Sequence, residues 1–439
     1  MTTVKISRCV CFLVALPLFM YGQTVKMLSI DEAIRLGLEN SKQLKVSGTK
    51  LDVAKAKRLQ YWNAQIPNVT YMGNYARLSD NVAPFIFRTP SGGETALNPQ
   101  ILNQFTNRLS VSQVVFAGYR AIRFYESSQF LEKAAALDID KDKIEVKNNI
   151  VAAFYNLYKL QASSSILTEN ANVLRGRLND VKNFVKQGTA LENDQLKGEL
   201  AVSQVEMSQT EVKNAIEVAN FNLDLMLGLP TDTKIELDKN GLFPEIILSD
   251  LSTYLKNIDS RPDIAATDLR RQATAKTVDI AKGGVFPTIS VGANAYMNNP
   301  NQRVFPQQDN FKGTWDIGVT LTYNFTNLYT GKYQIQEAQA NLAQANFVKD
   351  QLSDAAKMDI NAQYFGYQTA LEKIKLIEKT IIQTTENQRV MNNRYKATVS
   401  TLSELLDADA LLLQAKINLE IAKADAELAY YKLLKAIGK

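Results

Sequence analysis

The sequence predicts a mainly α protein with a membrane β-barrel contribution, in which long antiparallel helical hairpins are joined to four strands per chain. Three observations predict it. Proline is absent between Pro99 and Pro230 and again after Pro306. Because proline breaks helix interiors, these stretches, rich in Ala, Leu, Lys, Glu and Gln, read as very long helices. Four shorter segments alternate apolar and polar residues at the period of a strand. The two halves of the chain also match each other.

The N-terminal segment, "MTTVKISRCVCFLVALPLFMYGQ", has basic Lys5 and Arg8, an apolar run from Cys9 to Met20, and Gly22 before Gln23. It reads as a secretory signal peptide over residues 1–22, too short to span a bilayer as a helix. Cys9 and Cys11 both fall inside it, and neither stands where a lipidated cysteine belongs. The exported chain is therefore expected to carry no thiol, disulfide or lipid.

The 439 residues include no histidine, which removes the usual zinc ligands, the Ser-His and Cys-His pairs and the commonest general base. There is no Gly-rich phosphate loop and no isolated carboxylate pair in a plausible cleft. No catalytic residue, metal ligand or cofactor is expected. Lys and Arg number 50 against 45 Asp and Glu, and Lys5 and Arg8 lie in the leader. The near balance that remains gives no reason for a nucleic-acid partner.

The first half opens with a helix at "SIDE", where Ser29 and Glu32 form a capping box, running to about Ala64. Strands follow over Pro67 to Ser79 and Phe105 to Phe116, separated by a solvated loop from Asp80 to Gln104. A helix from Gly118 to about Gln187 would rise about 100 Å at about 1.5 Å per residue, too long for a compact globule. A turn and a second long helix close the half at "LGLP", Leu227 to Pro230.

The second half repeats this order, with a helix over Pro262 to Lys282, strands over Pro287 to Met297 and Gly313 to Phe325, and a loop from Asn298 to Lys312. "YNLY" at Tyr155 returns as "YFGY" at Tyr364, "AQIPNVTY" as "GVFPTISV", and "LGLP" as "AIGK" at the C-terminus. The economical reading is an internal duplication, residues 23–230 and 231–439.

"WDIGVTLTYNF" shows what the strands are for. Trp315, Ile317, Val319, Leu321, Tyr323 and Phe325 share one face, while Asp316, Gly318, Thr320, Thr322 and Asn324 share the other. One such strand could pack on a soluble core. Four of roughly membrane-crossing length in an exported chain point to a bilayer, where strands cross only in closed barrels of about eight strands or more. Four cannot close alone, so the chain must pool strands with copies of itself, eight from a dimer or twelve from a trimer. In the last helix Leu405, Leu412, Leu419 and Leu433 recur every seven residues with Ala426 in the remaining place, each followed three later by an alanine, Ala408 to Ala436. That is a heptad seam whose small residues admit close neighbours.

These features resemble the TolC-like outer membrane efflux protein family across essentially the whole chain from about Leu28. The most specific segment is "NRYKATVSTLSELLDADALLLQA", Asn393 to Ala415, with "VKQGTALENDQLKGELA", Val185 to Ala201, as its first-half counterpart. The resemblance implies a homotrimer with a 12-stranded outer-membrane β-barrel, its helices continuing as a periplasmic α-barrel. It implies an exit duct for small molecules or polypeptides, working with a periplasmic adaptor and an inner-membrane pump of the RND or ABC type. The helical tips, Gly188, Thr189, Thr398 and Val399, would meet the adaptor.

By the same resemblance Asp194 and Tyr395 match an acidic residue and a tyrosine that hold the entrance shut. Glu404 and Asp407 match acidic rings lining the constriction. Two departures stand out: Thr398 replaces the glycine of the second turn, and Ser400 stands where some members have an arginine, leaving Asn193 without its expected partner. The rival readings are a passive porin, a soluble periplasmic coiled-coil scaffold and a carboxylate enzyme working through Glu404 and Asp407.

Overall fold

The computed structural model describes residues 25–81, 86–96, 100–240, 242–244 and 247–439; the expected signal peptide lies outside them. The elements run β1 (Val25–Leu28), α1 (Ile30–Asn40), α2 (Lys42–Asn63), β2 (Asn68–Arg77), β3 (Ile86–Arg88), β4 (Glu94–Ala96), β5 (Asn103–Phe116), α3 (Arg120–Lys186) and α4 (Glu192–Leu227). They continue with β6 (Lys234–Leu237), α5 (Leu251–Lys256), α6 (Pro262–Gly283), β7 (Thr288–Asn298), β8 (Lys312–Thr322), α7 (Asn327–Lys396) and α8 (Leu402–Ala436). The prolines fall where the physics permits: Pro262 occupies the first turn of α6, and none interrupts α3 or α7, of 67 and 70 residues.

By contact the chain forms two compact units that cut across its two halves, one from the described residues of 1–41, 147–246 and 367–431, the other from 42–146, 247–366 and 432–439. The first unit holds β1 and α1, the later parts of α3 and α7, all of α4 and most of α8. Most of its α8 seam is buried: Leu405, Ala408, Ala415, Ala422, Ala426 and Leu433 are in the core, the last in the second unit, while Leu412, Leu419 and Ala429 are half-buried. Leu167, Ala171 and Leu174 of α3 meet Val202 and Val205 of α4, with Leu406, Leu413 and Ile417 of α8 against them. β1 pairs in parallel with β6, two hundred residues on.

The second unit is built on one four-stranded antiparallel sheet of order β2-β5-β7-β8. Below it α2, α6 and the first part of α3 pack together. Tyr61 stacks on Phe124 at 5.4 Å, Arg58 pairs with Glu132, and Ser127 donates to the Ala273 carbonyl at 3.1 Å. Where β5 turns into α3, Gly118 takes φ +64 and a Cβ there would lie 2.2 Å from the Gly283 carbonyl oxygen. No other residue fits that approach. A smaller core gathers Ile258, Ile264, Ala356, Ile360 and Ala436.

Several sequence expectations are corrected. The opening helix is two helices, because Ser41 takes ψ 116, outside the helical region. Asn40 turns its amide onto the Leu227 carbonyl at 2.7 Å, tying the end of α1 to the end of α4. Only half of the Ser29/Glu32 capping box forms: Glu32 N–H donates to Ser29 Oγ at 3.3 Å, while the Glu32 carboxylate pairs with Lys26 at 3.0 Å.

β8 ends at Thr322, so Tyr323 and Phe325 leave the face assigned to them. Asn324 Oδ1 instead accepts from Thr326 N–H at 3.0 Å and starts the turn into α7, and the two rings meet edge to face at 4.7 Å. The loop from Asp80 to Gln104 contains the β3–β4 hairpin, and β1, β6 and α5 were not foreseen.

Candidate functional site

In the sheet, register decides which side each residue faces. Ala295 opposes Trp315, Ala293 opposes Ile317, Val291 opposes Val319 and Ile289 opposes Leu321. Tyr71 opposes Leu109 and Val69 opposes Val111 on the same side. This face is uncovered in the protomer: Trp315 is 74%, Ile317 69% and Val319 70% exposed. An apolar patch of this extent on a soluble surface would drive association; against lipid it is solvated. The opposite face carries Thr70, Ser110, Ser112, Ser290, Asn294 and Thr320 and lines a polar trough of about 640 Å³. β2 and β8 each have one paired neighbour, so both outer edges of the sheet present unpaired backbone groups within the chain.

The helical tips lie within the other unit. α3 ends in a turn where Gly188 takes φ +72, Gly188 N–H donates to Val185 O at 3.0 Å and Thr189 N–H to Phe184 O at 2.9 Å. α7 ends in the same turn: Thr398 takes φ +60, with Thr398 N–H to Tyr395 O at 2.9 Å and Val399 N–H to Arg394 O at 2.8 Å. Both are Schellman caps. Thr398 thus keeps the geometry that glycine adopts freely, at the steric cost a β-branched residue meets in the left-handed region.

Between these turns a cavity of about 1010 Å³ is lined by Thr189, Asn193, Asp194, Tyr395, Thr398 and Ser400, among others. The structure therefore brings the expected gate residues to one place. No hydrogen bond joins Tyr395 to Asp194 within the chain; Asp194 lies 3.9 Å from Lys197. Burial, then the charges of Asp194 and Asp180, raises the Tyr395 phenol above its ordinary pKa. Ser400 Oγ donates weakly to Met391 O at 3.5 Å. Val399 is exposed.

Glu404 and Asp407 do not line this cavity. Glu404 turns back on its own helix: Thr401 N–H donates to Glu404 Oε2 at 2.8 Å and Glu404 N–H to Thr401 Oγ1 at 3.3 Å. This is a complete capping box, and the hydrogen bonds from Thr401 lower the carboxyl pKa. "TLSE" carried that signal in the sequence. Asp407 is exposed on a neighbouring depression of about 320 Å³ shared with Lys197 and Asp409.

A buried polar cluster near the tip was missed. Arg177 of α3 donates from Nη2 to Asp409 Oδ1 of α8 at 3.0 Å, with Nε 2.9 Å from Oδ2. Its Nη1 donates to Asn392 Oδ1 at 3.3 Å, and Gln388 Nε2 of α7 donates to Asp409 Oδ1 at 3.1 Å. The Nε contact is close in distance but poorly aligned as a hydrogen bond, so the pair is held mainly by charge and by the Nη2 bond. Burial raises the Asp409 pKa, opposed by Arg177 and Gln388. The partners are 232 residues apart; the only local sign was an acid beside the alanine seam.

A sheet with an uncovered apolar face, a polar opposite face and two open edges, joined to long helical hairpins, is the architecture found in outer-membrane channel-tunnels. Residues 255–439 match the family model described as outer membrane efflux protein. The chain is 24% identical over 352 residues to "Toxin and drug export protein A" of Aggregatibacter actinomycetemcomitans, spanning 75% of this chain and 74% of that protein. It is 22% identical over 422 residues to "Probable efflux pump outer membrane protein TtgC" of Pseudomonas putida, spanning 92% and 82%.

Among solved structures, CusC superposes with a TM-score of 0.79 at 16% identity over 95% of this chain and 93% of that one. The Campylobacter jejuni CmeC outer membrane channel gives 0.74 at 16% identity, over 100% and 94%. The C-terminal part of the chain thus matches the outer membrane efflux protein family, and nearly the whole chain shares the fold of the outer-membrane channels.

Proposed function

We propose that three copies of this chain form a closed 12-stranded barrel in the outer membrane, and that the assembly is the exit duct of a tripartite export system. The observation that carries this reading is the sheet itself. Its exposed row of Trp315, Ile317, Val319 and Leu321 needs lipid, and its open β2 and β8 edges need partners. Pairing β8 of one copy with β2 of the next satisfies both edges around a three-fold axis, which closes the ring. The chain would reach the outer membrane through a signal peptide at 1–22, and residues 23–230 and 231–439 would be duplicated repeats.

At the tip, Asp194, Tyr395, Asn193 and Ser400 are assigned to the closed entrance. Glu404 and Asp407 are assigned to an acidic ring, with Asp407 its more available member because Glu404 caps its helix. Gly188, Thr189, Thr398 and Val399 are assigned to the contact with a periplasmic adaptor, which would couple the duct to an RND or ABC pump. The duct moves cargo without catalysing a reaction on it.

The test is planar-bilayer conductance of detergent-purified protein, alongside its mass. A three-chain particle giving small cation-selective steps, with selectivity weakened in Glu404→Gln/Asp407→Asn, supports the reading. A monomer recovered without detergent would return the scaffold. Large steps indifferent to both substitutions would return the passive porin.

A further inference from the structure

The connection between β7 and β8 does not stand away from the sheet. Asn301, 2% exposed, donates to Lys312 O at 2.8 Å and to Thr314 Oγ1 at 3.2 Å, and its own Oδ1 accepts from Arg303 N–H at 3.0 Å. Pegged this way, the loop sends Arg303 back over the polar face. Arg303 Nη2 donates to Asp316 Oδ2 at 2.6 Å, and the guanidinium lies 4.4 Å from the centre of the Tyr296 ring. Asp316 Oδ1 accepts from Asn294 Nδ2 at 2.7 Å, Asn294 Oδ1 accepts from Arg108 Nε at 3.1 Å, and Arg108 also donates to Ser110 Oγ at 2.7 Å. One row of polar contacts therefore crosses β5, β7 and β8 on the trough side.

Its charge is unbalanced. Asp316 is matched by Arg303, and Arg108 makes no ion pair among the described residues. Lys312 and Asp309, which accepts from Asn299 at 3.1 Å, carry opposite charges at the start of β8 and in the loop before it, so they cancel in the net count. The remaining charges at this end of the sheet pair among themselves, Arg77 with Asp80 at 3.7 Å and Arg88 with Glu94 at 2.7 Å. One positive charge per chain is left over. Inside a pore with low-dielectric walls, a ring of like charges raises the local concentration of opposite ions and repels its own sign.

We propose that Arg108 and Arg303, set by Asn301, Asn294 and Asp316, form a basic constriction in the outward part of the barrel that favours anionic and neutral cargo and opposes cations. This rests on the trimeric duct, which places three copies around one lumen. Its sign is opposite to that of the ring assigned to Glu404 and Asp407.

The test uses the full-length trimer in planar bilayers with citrate, a trivalent anion, added to each side in turn. Wild-type channels are expected to be blocked more strongly from the side bearing the β7–β8 loops. Arg108→Gln/Arg303→Gln raises the half-blocking concentration from that side at least tenfold and shifts the reversal potential toward potassium. Arg303→Lys, which keeps the charge, retains most of the block. Arg108→Gln alone, which leaves the Arg303–Asp316 pair intact, gives an intermediate loss and stands in if the double variant fails to assemble. Equal block in wild type and either glutamine variant overturns the proposal, as does a lysine variant that behaves like glutamine. Failure of the wild type to form channels is a different result, since it removes the duct reading beneath the proposal.

Discussion

Replacing Asp409 with asparagine tests whether the Arg177 cluster holds the two helical hairpins together near the tip. The side chains are 15% and 6% exposed, so the pair is shielded enough for its loss to be felt. Removing one member of a buried pair costs about 3 to 5 kcal/mol, mostly from the charge left behind. Arg177 keeps some solvent contact, which puts Asp409→Asn near the lower end, about 3 kcal/mol.

The complementary change, Arg177→Met, strands the more buried partner. Asp409 already has a raised pKa, and without arginine it rises further. A carboxyl whose folded pKa exceeds its unfolded value loses stability as pH climbs through the folded pKa, so this penalty is larger at pH 8 than at pH 5. Arg177→Met/Asp409→Leu removes both charges and should fall within about 1 kcal/mol of wild type.

The assay is native-state hydrogen exchange of amides around 174–184 and 405–412 in detergent. About 3 kcal/mol corresponds to a drop in protection of roughly two orders of magnitude, since each 1.4 kcal/mol is about tenfold. A drop below tenfold in Asp409→Asn, or single effects that simply add in the double variant, would refute the assignment of the cluster as a buried tie.

Glu427 of α8 is 8% exposed beside the Tyr155 and Tyr431 phenols, and burial pushes its carboxyl up to about 7. The folded protein holds that proton more tightly than the unfolded chain, so stability is highest below about pH 4.5 for this group and falls by on the order of 3 kcal/mol as pH rises through 7. Glu427→Gln should flatten that slope in denaturation midpoints measured from pH 5 to 8; an unchanged slope contradicts it. Thr398→Gly relieves a β-branched residue at φ +60 but frees the unfolded chain, so its net effect should stay within about 1 kcal/mol, and a loss beyond that would show that the side chain matters to the turn. Ile317→Lys on the apolar face should cost about 2 to 4 kcal/mol in barrel assembly, whereas Thr320→Lys on the trough side should assemble normally and alter conductance; similar behaviour of the two would reverse the face assignment.

The long helices were legible because helix length follows from what is missing: no proline interrupts residues 120–186 or 327–396. The strand faces were legible from period two, and β7 and β8 began and ended within a few residues of expectation except where Tyr323 and Phe325 continued the alternation past the last ladder bond. Alternation reports which side a residue would face if the strand continued, and the side chain of Asn324 is what stopped it. The break at Ser41 was invisible for the same kind of reason, since it comes from Asn40 meeting a carbonyl 187 residues away. At the tip, matching of turn motifs brought Asn193, Asp194, Tyr395 and Ser400 to the rim of one cavity. The same matching assigned Glu404 to a ring and overlooked the local cap that Thr401 forms with it.

The sequence by itself determined the helix lengths, the two faces of the strands and most of the alanine seam, because each depends on neighbours within a turn or two along the chain. Only the tertiary structure decided which distant residues meet. Arg177 finds Asp409, β1 finds β6, and Arg303 folds back onto Asp316, because such pairings depend on how separate helices and strands are brought side by side, which periodicity and local propensity do not encode.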